Sequence, residues 1–162
     1  MKNHTRSITH AAVIAAAYVA LTNLQNLLLP GSASWAIQLR VSEALCVLAF
    51  FTPAAIPGLT LGCLLFNLTS GAGLPLDFLV GTLATVLAAW SMWLCRKWVI
   101  VGLLMPALFN GFLVGWELTV YLGGGFWFNF GCVAAGEAIV LLTFGAALHR
   151  AVRKLPIYTG SK

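Results

Sequence analysis

The sequence predicts an all-α integral membrane protein: a bundle of six transmembrane helices with both termini in the cytoplasm. Three observations carry that reading. Of 162 residues, 60% are apolar and only 8% charged, with a mean hydropathy of +0.95. Soluble domains carry about a quarter charged residues and under half apolar ones, so a water-soluble enzyme and a disordered chain are both excluded. Apolar stretches at 11–29, 42–51, 53–68, 76–95, 98–121 and 130–148 then fill residues 1–162 as a single transmembrane unit, at roughly 20 residues per bilayer crossing. The third observation is the sorting of positive charge, which decides how many spans there are.

The first stretch follows a polar N-terminus holding Lys2 and Arg6 and ends at Pro30–Gly31. No small-residue cleavage site follows it, so it reads as a retained span rather than a signal peptide. A loop of small residues leads to Arg40. Residues 42–68 are ambiguous: one long span broken by proline, or two short helices joined by Thr52-Pro53-Ala54-Ala55-Ile56-Pro57. Basic residues accumulate on the cytoplasmic side of membrane proteins. With six spans, Lys2, Arg6, Arg96, Lys97, Arg150, Arg153, Lys154 and Lys162 all face the cytoplasm and only Arg40 faces out, an 8:1 split. With five spans, Arg96, Lys97 and the basic tail move outside, so six is the better count. The second span is then too short to cross ~30 Å of hydrocarbon alone. It needs extension by Ile37–Val41 or a position buried in protein. Later breaks fall at the Gly71–Pro75 loop, Arg96–Lys97, the Gly123–Gly125 run and the tail from Arg150. The net charge of +5 thus reports topology, and no basic face is left in water for nucleic acid.

That topology gathers polar residues on one side. All 4 acids, Glu43, Asp77, Glu117 and Glu137, fall in the outer half of the membrane with Asn67, Asn110 and Asn129. Asn110 and Glu117, two helical turns apart, share a face, and Glu137 lies about two turns deeper than Asn129. Ionisable residues inside a membrane cost about 2.5–3.5 kcal/mol each on insertion scales and point to function by default. Internal pairing is the plainer reading, and Arg40 with Glu43, at i and i+3, is the expected ion pair. Four carboxylates against one guanidinium still leave a surplus. Asp77 reads equally as a ligand or as a water-exposed helix N-cap. Glu117 and Glu137 read first as solute or ion ligands, and the asparagines as ligands or interhelical glue.

Trp116, Tyr121, Phe126, Trp127, Phe128 and Phe130 lie at the same level. An interfacial aromatic belt is the default for them; stacking on a planar ligand is the sharper reading, with Trp127 as its best candidate. The Gly123–Gly125 run offers a mobile lid. Together these groups suit a small, flat, polar or cationic solute, since a carboxylate accepts from two adjacent donors and asparagine both donates and accepts. A 7-deazaguanine fits, as would thiamine, a purine or a cationic drug. Cys46, Cys63, Cys95 and Cys132 show no metal or disulfide spacing and read as small buried residues. In the first span, Ala12, Ala16 and Ala20 recur every four residues, a spacing that lets another helix approach closely. That helix belongs either to this chain or to another subunit. No Walker A motif supplies a motor.

The segment Ile37-Gln38-Leu39-Arg40-Val41-Ser42-Glu43-Ala44-Leu45, then Phe50-Phe51-Thr52-Pro53-Ala54-Ala55-Ile56-Pro57-Gly58-Leu59, then Gly62-Cys63-Leu64-Leu65-Phe66-Asn67 resembles the signature of the QueT family. The resemblance runs over essentially the whole chain. It implies a substrate-binding S component of an energy-coupling-factor (ECF) transporter in the cell membrane, importing queuosine precursors. It implies six helices with both ends cytoplasmic and a site near the outer face. Glu117 and Glu137 would then be primary anchors, with Arg40 and Glu43 closing the site. Trp127 and Trp116 would stack, and Asn67, Asn110 and Asn129 would complete the polar edges beside Asp77 and Tyr121. Ala12, Ala16 and Ala20 would dock on a transmembrane coupling subunit bound to two ATPases. Those partners would use the ATP and magnesium, and this chain would need no cofactor and no metal.

Three other functions compete: an S component for another planar vitamin or purine, an autonomous ion-coupled carrier using Glu117 or Glu137, and a structural membrane protein without a solute. An intramembrane enzyme is disfavoured because neither HExxH nor GxSxG is present.

Overall fold

A computed structural model describes residues 2–30, 32, 39–69 and 76–155. The Gly71–Pro75 loop, Ile37 and Gln38 with the helix extension expected there, and Lys162 of the basic tail lie outside the described residues. Regular structure among the described residues is entirely helical: α1 (Lys2–Leu28), a 3₁₀ helix (Val41–Phe50), α2 (Ala55–Thr69), α3 (Asp77–Leu94), α4 (Val99–Leu122), α5 (Phe126–Val140), a π turn (Leu141–Gly145) and α6 (Ala146–Arg153). The last three run on as one helix from Phe126 to Arg153. Each expected span therefore corresponds to a helical segment, but the segments are unequal. Four are long and apolar enough to cross a membrane: His4–Leu28, Asp77–Leu94, Val99–Leu122 and Phe126–Arg153. Val41–Phe50 and Ala55–Thr69 are shorter.

The ambiguity over 42–68 resolves into two helices. Phe51 and Thr52 both donate to the Leu48 carbonyl and end the 3₁₀ segment. Pro53 offers no N–H to continue it. The Thr52 hydroxyl then accepts from the Ala54 N–H at 3.3 Å, and α2 starts one residue later. Pro57 lies in the first turn of α2, where its missing N–H costs nothing. The 3₁₀ winding helps a short segment reach: ten residues rise about 20 Å, against about 15 Å as an α-helix.

Burial is the second solution for that segment. The 3₁₀ helix touches every other helical element, and around it lies the main core of Tyr18, Cys46, Val47, Ala49, Leu59, Cys63, Met92 and Leu103. The longer helices pack in chain order, α1 on α2, α2 on α3, α3 on α4 and α4 on α5. The α1–α2 contact is the tightest in backbone terms. A Cβ on Gly62 would stand 2.7 Å from the Tyr18 Cβ, and one on Gly58 would stand 2.7 Å from the Ala11 carbonyl oxygen. Small residues let two backbones meet and gain dispersion contacts that lipid would otherwise supply.

Polarity is distributed as lipid requires. Leu27, Leu28, Trp98, Ile100, Leu122 and Phe128 are exposed, whereas Arg40, Glu43, Asp77, Asn110, Glu117, Asn129 and Glu137 are buried. All 4 acids of the chain are inside. Such an arrangement is unfavourable in water and is the expected one in hydrocarbon, where polar side chains turn to the bundle interior.

Candidate functional site

Side-chain bonds join the helix ends in pairs at one end of the bundle: Gln25 of α1 to Val41 of the 3₁₀ helix, Asn67 of α2 to Asp77 of α3, and Thr119 of α4 to Asn129 of α5. Arg40 enters there from the loop, 2% exposed, with extended backbone at φ −80°, ψ 99°. Its Nη2 stands 3.4 Å from the Asp77 Oδ2, and its guanidinium lies 6.0 Å from the centre of the Phe66 ring. Asn67 of α2 donates to the Asp77 carbonyl at 2.9 Å. Gly81, one turn into α3, makes room for the group: a Cβ there would meet Asn67 Nδ2 at 2.9 Å and Asp77 Oδ1 at 3.1 Å.

Two expectations change here. The expected Arg40–Glu43 ion pair gives way to Arg40–Asp77, because Arg40 precedes the helix and helical i, i+3 spacing does not apply to it. Glu43 lies within Coulombic range of Arg40, but its oxygens accept from the Tyr18 hydroxyl and from the Cys46 thiol at 3.0 Å. Asp77 is not a water-exposed N-cap. Leu76 holds that position and makes no side-chain cap bond, while Asp77 is buried as the first helical residue.

Glu117 of α4 and Glu137 of α5 complete the constellation. Glu117 is fully buried and lies within Coulombic range of Asp77 and Arg40. Glu137 is buried and lies within range of Glu43 and Arg40. Their hydrogen-bonding state differs from that of Glu43, both of whose oxygens accept a bond. Among the described residues, both Glu117 oxygens and the Glu137 Oε2 are buried without a hydrogen-bond partner, as are Asn110 Nδ2, Asn67 Oδ1 and Asp77 Oδ1. A buried polar atom without a partner costs about 1–3 kcal/mol, so donors brought by a bound molecule would relieve a standing cost. Among the described residues no three His, Cys, Asp or Glu side chains are grouped to hold a metal ion.

The remaining sequence candidates go elsewhere. Asn129 is buried, but its amide donates to the Thr119 hydroxyl at 3.0 Å and to the Gly123 carbonyl at 3.1 Å. It therefore braces the α4–α5 turn, where Gly123 and Gly124 adopt positive φ of 77° and 84° that side-chain-bearing residues avoid. The glycine run expected as a lid is tied at its first residue. Trp116, Tyr121 and Trp127 are exposed, as the residues of an interfacial belt would be. Trp127 packs edge-on against Phe126, with ring centres 5.0 Å apart. Ala12, Ala16 and Ala20 are exposed and line an open groove with Leu61 and Leu65, whereas Ala11 and Ala15 form the internal contact with α2. The stripe is thus an outer face of this chain.

Sequence reasoning missed the part of α1 that supports the site. Tyr18, Thr22 and Gln25 recur at i, i+4 and i+7, one helical face, and all three are buried. Tyr18 donates to Glu43, and Thr22 donates to the Ser42 hydroxyl at 2.7 Å. Gln25 bonds the backbone around Arg40, accepting from the Val41 N–H at 2.8 Å. That polar ridge in an apolar helix was the available signal. Cys46, read as a small buried residue, is also a thiol donor to Glu43.

Comparison with known proteins accords with this geometry. No curated protein and no solved structure matches the chain. The family model described as QueT transporter matches residues 8–154, most of the chain and every residue of the cluster. The chain therefore belongs to the QueT transporter family and is a multi-pass membrane transporter S component, a transport subunit that works with partner subunits.

Proposed function

We propose that this S component captures a 7-deazaguanine, a queuosine precursor such as 7-aminomethyl-7-deazaguanine or queuine, from outside the cell. In this reading both termini are cytoplasmic, and the Arg40–Asp77 end of the bundle faces outward in the cell membrane. Glu117 and Glu137 are the ligand anchors. One carboxylate accepts the N1–H and 2-amino edge of the base, and the other accepts the exocyclic ammonium, each a charge-assisted contact. Asn110 supplies a further donor beside Glu117. The Arg40–Asp77 pair closes the site from the loop after α1. The observation that carries the proposal is the pair of buried carboxylates, Glu117 and Glu137, with oxygens that no donor among the described residues satisfies.

Delivery follows from docking. Ala12, Ala16 and Ala20, on the open face of α1, would lie against the transmembrane coupling subunit of an ECF module. Its two ATPases would use ATP and magnesium while the S component topples to release its ligand inward. This chain would need no cofactor of its own.

A thermal-shift screen of the purified protein against deazapurines, purines and vitamins tests the ligand. The aminomethyl deazaguanine should raise the melting temperature most, by the linkage of binding to folding. A larger shift with thiamine or a purine would reassign the substrate. Uptake by the chain alone into vesicles holding a proton gradient would overturn the ECF coupling in favour of an ion-driven carrier.

A further inference from the structure

We infer that Gln25 is a positioning residue for Arg40, so that α1 sets the geometry of the Arg40–Asp77 half of the site. The Gln25 side chain is buried and enters the loop as a surrogate peptide. Its Oε1 accepts from the Val41 N–H at 2.8 Å, and its Nε2 donates to the Leu39 carbonyl and to the Ser32 hydroxyl at 2.8 Å. Leu39 and Val41 flank Arg40, so one side chain grips the backbone on both sides of the guanidinium's root. Only an amide offers a donor and an acceptor in that relation.

The grip acts where the loop becomes helix, at Arg40, whose carbonyl accepts from the Glu43 N–H at 3.0 Å. Its backbone is extended, ahead of the first turn of the 3₁₀ helix. Its side chain reaches the Asp77 carboxylate at 3.4 Å. A small rotation at the root of a long side chain moves the guanidinium by a large arc. Below Gln25 on the same face of α1, Thr22 holds Ser42 and Tyr18 holds Glu43. Residues 39–43 are thus docked on α1 by three consecutive polar rungs, of which Gln25 is the one that brackets Arg40.

The consequence for ligand affinity rests on the function proposed above; the hold on Arg40 rests on the geometry alone, and two measurements separate them. In the full-length protein without ligand, phenylglyoxal labelling mapped by mass spectrometry should rise severalfold at Arg40 in Gln25→Ala, with the exposed Arg96 unchanged as an internal reference. Unchanged Arg40 labelling overturns the inference. Titration with 7-aminomethyl-7-deazaguanine should then show Gln25→Ala weakening binding about tenfold, the scale of one hydrogen bond of about 1.4 kcal/mol. The same change made in an Arg40→Gln background should cost nothing further, because coupled residues are not additive. Equal losses in both backgrounds would show a general structural role and overturn the inference. If Gln25→Ala fails to fold, Gln25→Met keeps the length and bulk of the side chain without the amide's donor and acceptor, and it is held to the same two outcomes. A wild-type protein that ignores the probe would sink the ligand reading, while the labelling result would still decide the role of Gln25.

Discussion

The Arg40 guanidinium meets the Asp77 carboxylate 3.4 Å away across two connections, one from the loop after α1 and one at the first turn of α3. The contact joins segments 37 residues apart. It is kept in place by Asn67, which holds the Asp77 backbone, and by the absence of a side chain at Gly81. Breaking a buried pair costs more than forming it gains, because the remaining charge is left uncompensated.

Gly81→Ala tests that arrangement without removing a charge. The new methyl would stand 2.9 Å from the Asn67 amide nitrogen, so Asn67 must give way and release Asp77. Overpacking of this kind costs about 1–3 kcal/mol. The expected outcome is a lower melting temperature together with weaker ligand binding. A variant with wild-type affinity would place the Asn67–Asp77 contact outside the site.

Glu117→Gln and Glu137→Gln should each weaken binding by about 2–3 kcal/mol, the scale for losing one partner of a buried hydrogen bond to a charged group. Calorimetric titration measures the loss. Folding should respond differently. An amide in place of the unpartnered Glu117 carboxylate removes a group that is costly to bury, so the ligand-free Glu117→Gln protein should melt no lower than wild type. Unchanged affinity in both variants would refute their assignment as anchors.

The two faces of α1 should separate folding from assembly. Gly62→Leu places side-chain atoms where Tyr18 already stands, 2.7 Å from the glycine's Cβ position, and should destabilise the chain by at least the ~1–3 kcal/mol of ordinary overpacking. Ala16→Leu, on the open groove, should leave melting temperature and ligand affinity unchanged. It should abolish co-purification with an ECF module and transport. Normal assembly of Ala16→Leu would remove the groove from the docking face.

Much of the architecture is legible in the sequence because lipid leaves few options. A chain this apolar must be helical, one of its breaks falls at Pro53, which has no N–H to donate, and its acids must turn inward. The burial of Glu43, Asp77, Glu117 and Glu137 therefore follows from their positions within apolar stretches. Helical spacing also correctly places Asn110 with Glu117, both buried on α4. The same reasoning misplaces the Arg40 pair, because it assumes helix where the backbone is extended. The spacing of Asn129 also gives no sign that its donors are used within its own turn. The same reasoning reads Trp127 as a stacking candidate, although periodicity says nothing about which groups occupy the other side of a contact.

What the sequence by itself determined is the class of molecule and its chemical inventory: a helical transport subunit carrying more negative than positive groups among its buried residues. Only the tertiary structure decided how those groups are divided. Among the described residues, one Asp77 oxygen is matched by Arg40 and both Glu43 oxygens by Tyr18 and Cys46, whereas both Glu117 oxygens and the Glu137 Oε2 have no donor. Hydrogen bonds form between atoms a few ångströms apart, and distances between separate helices are set by packing such as that of Gly62 against Tyr18, which no local pattern in the chain encodes.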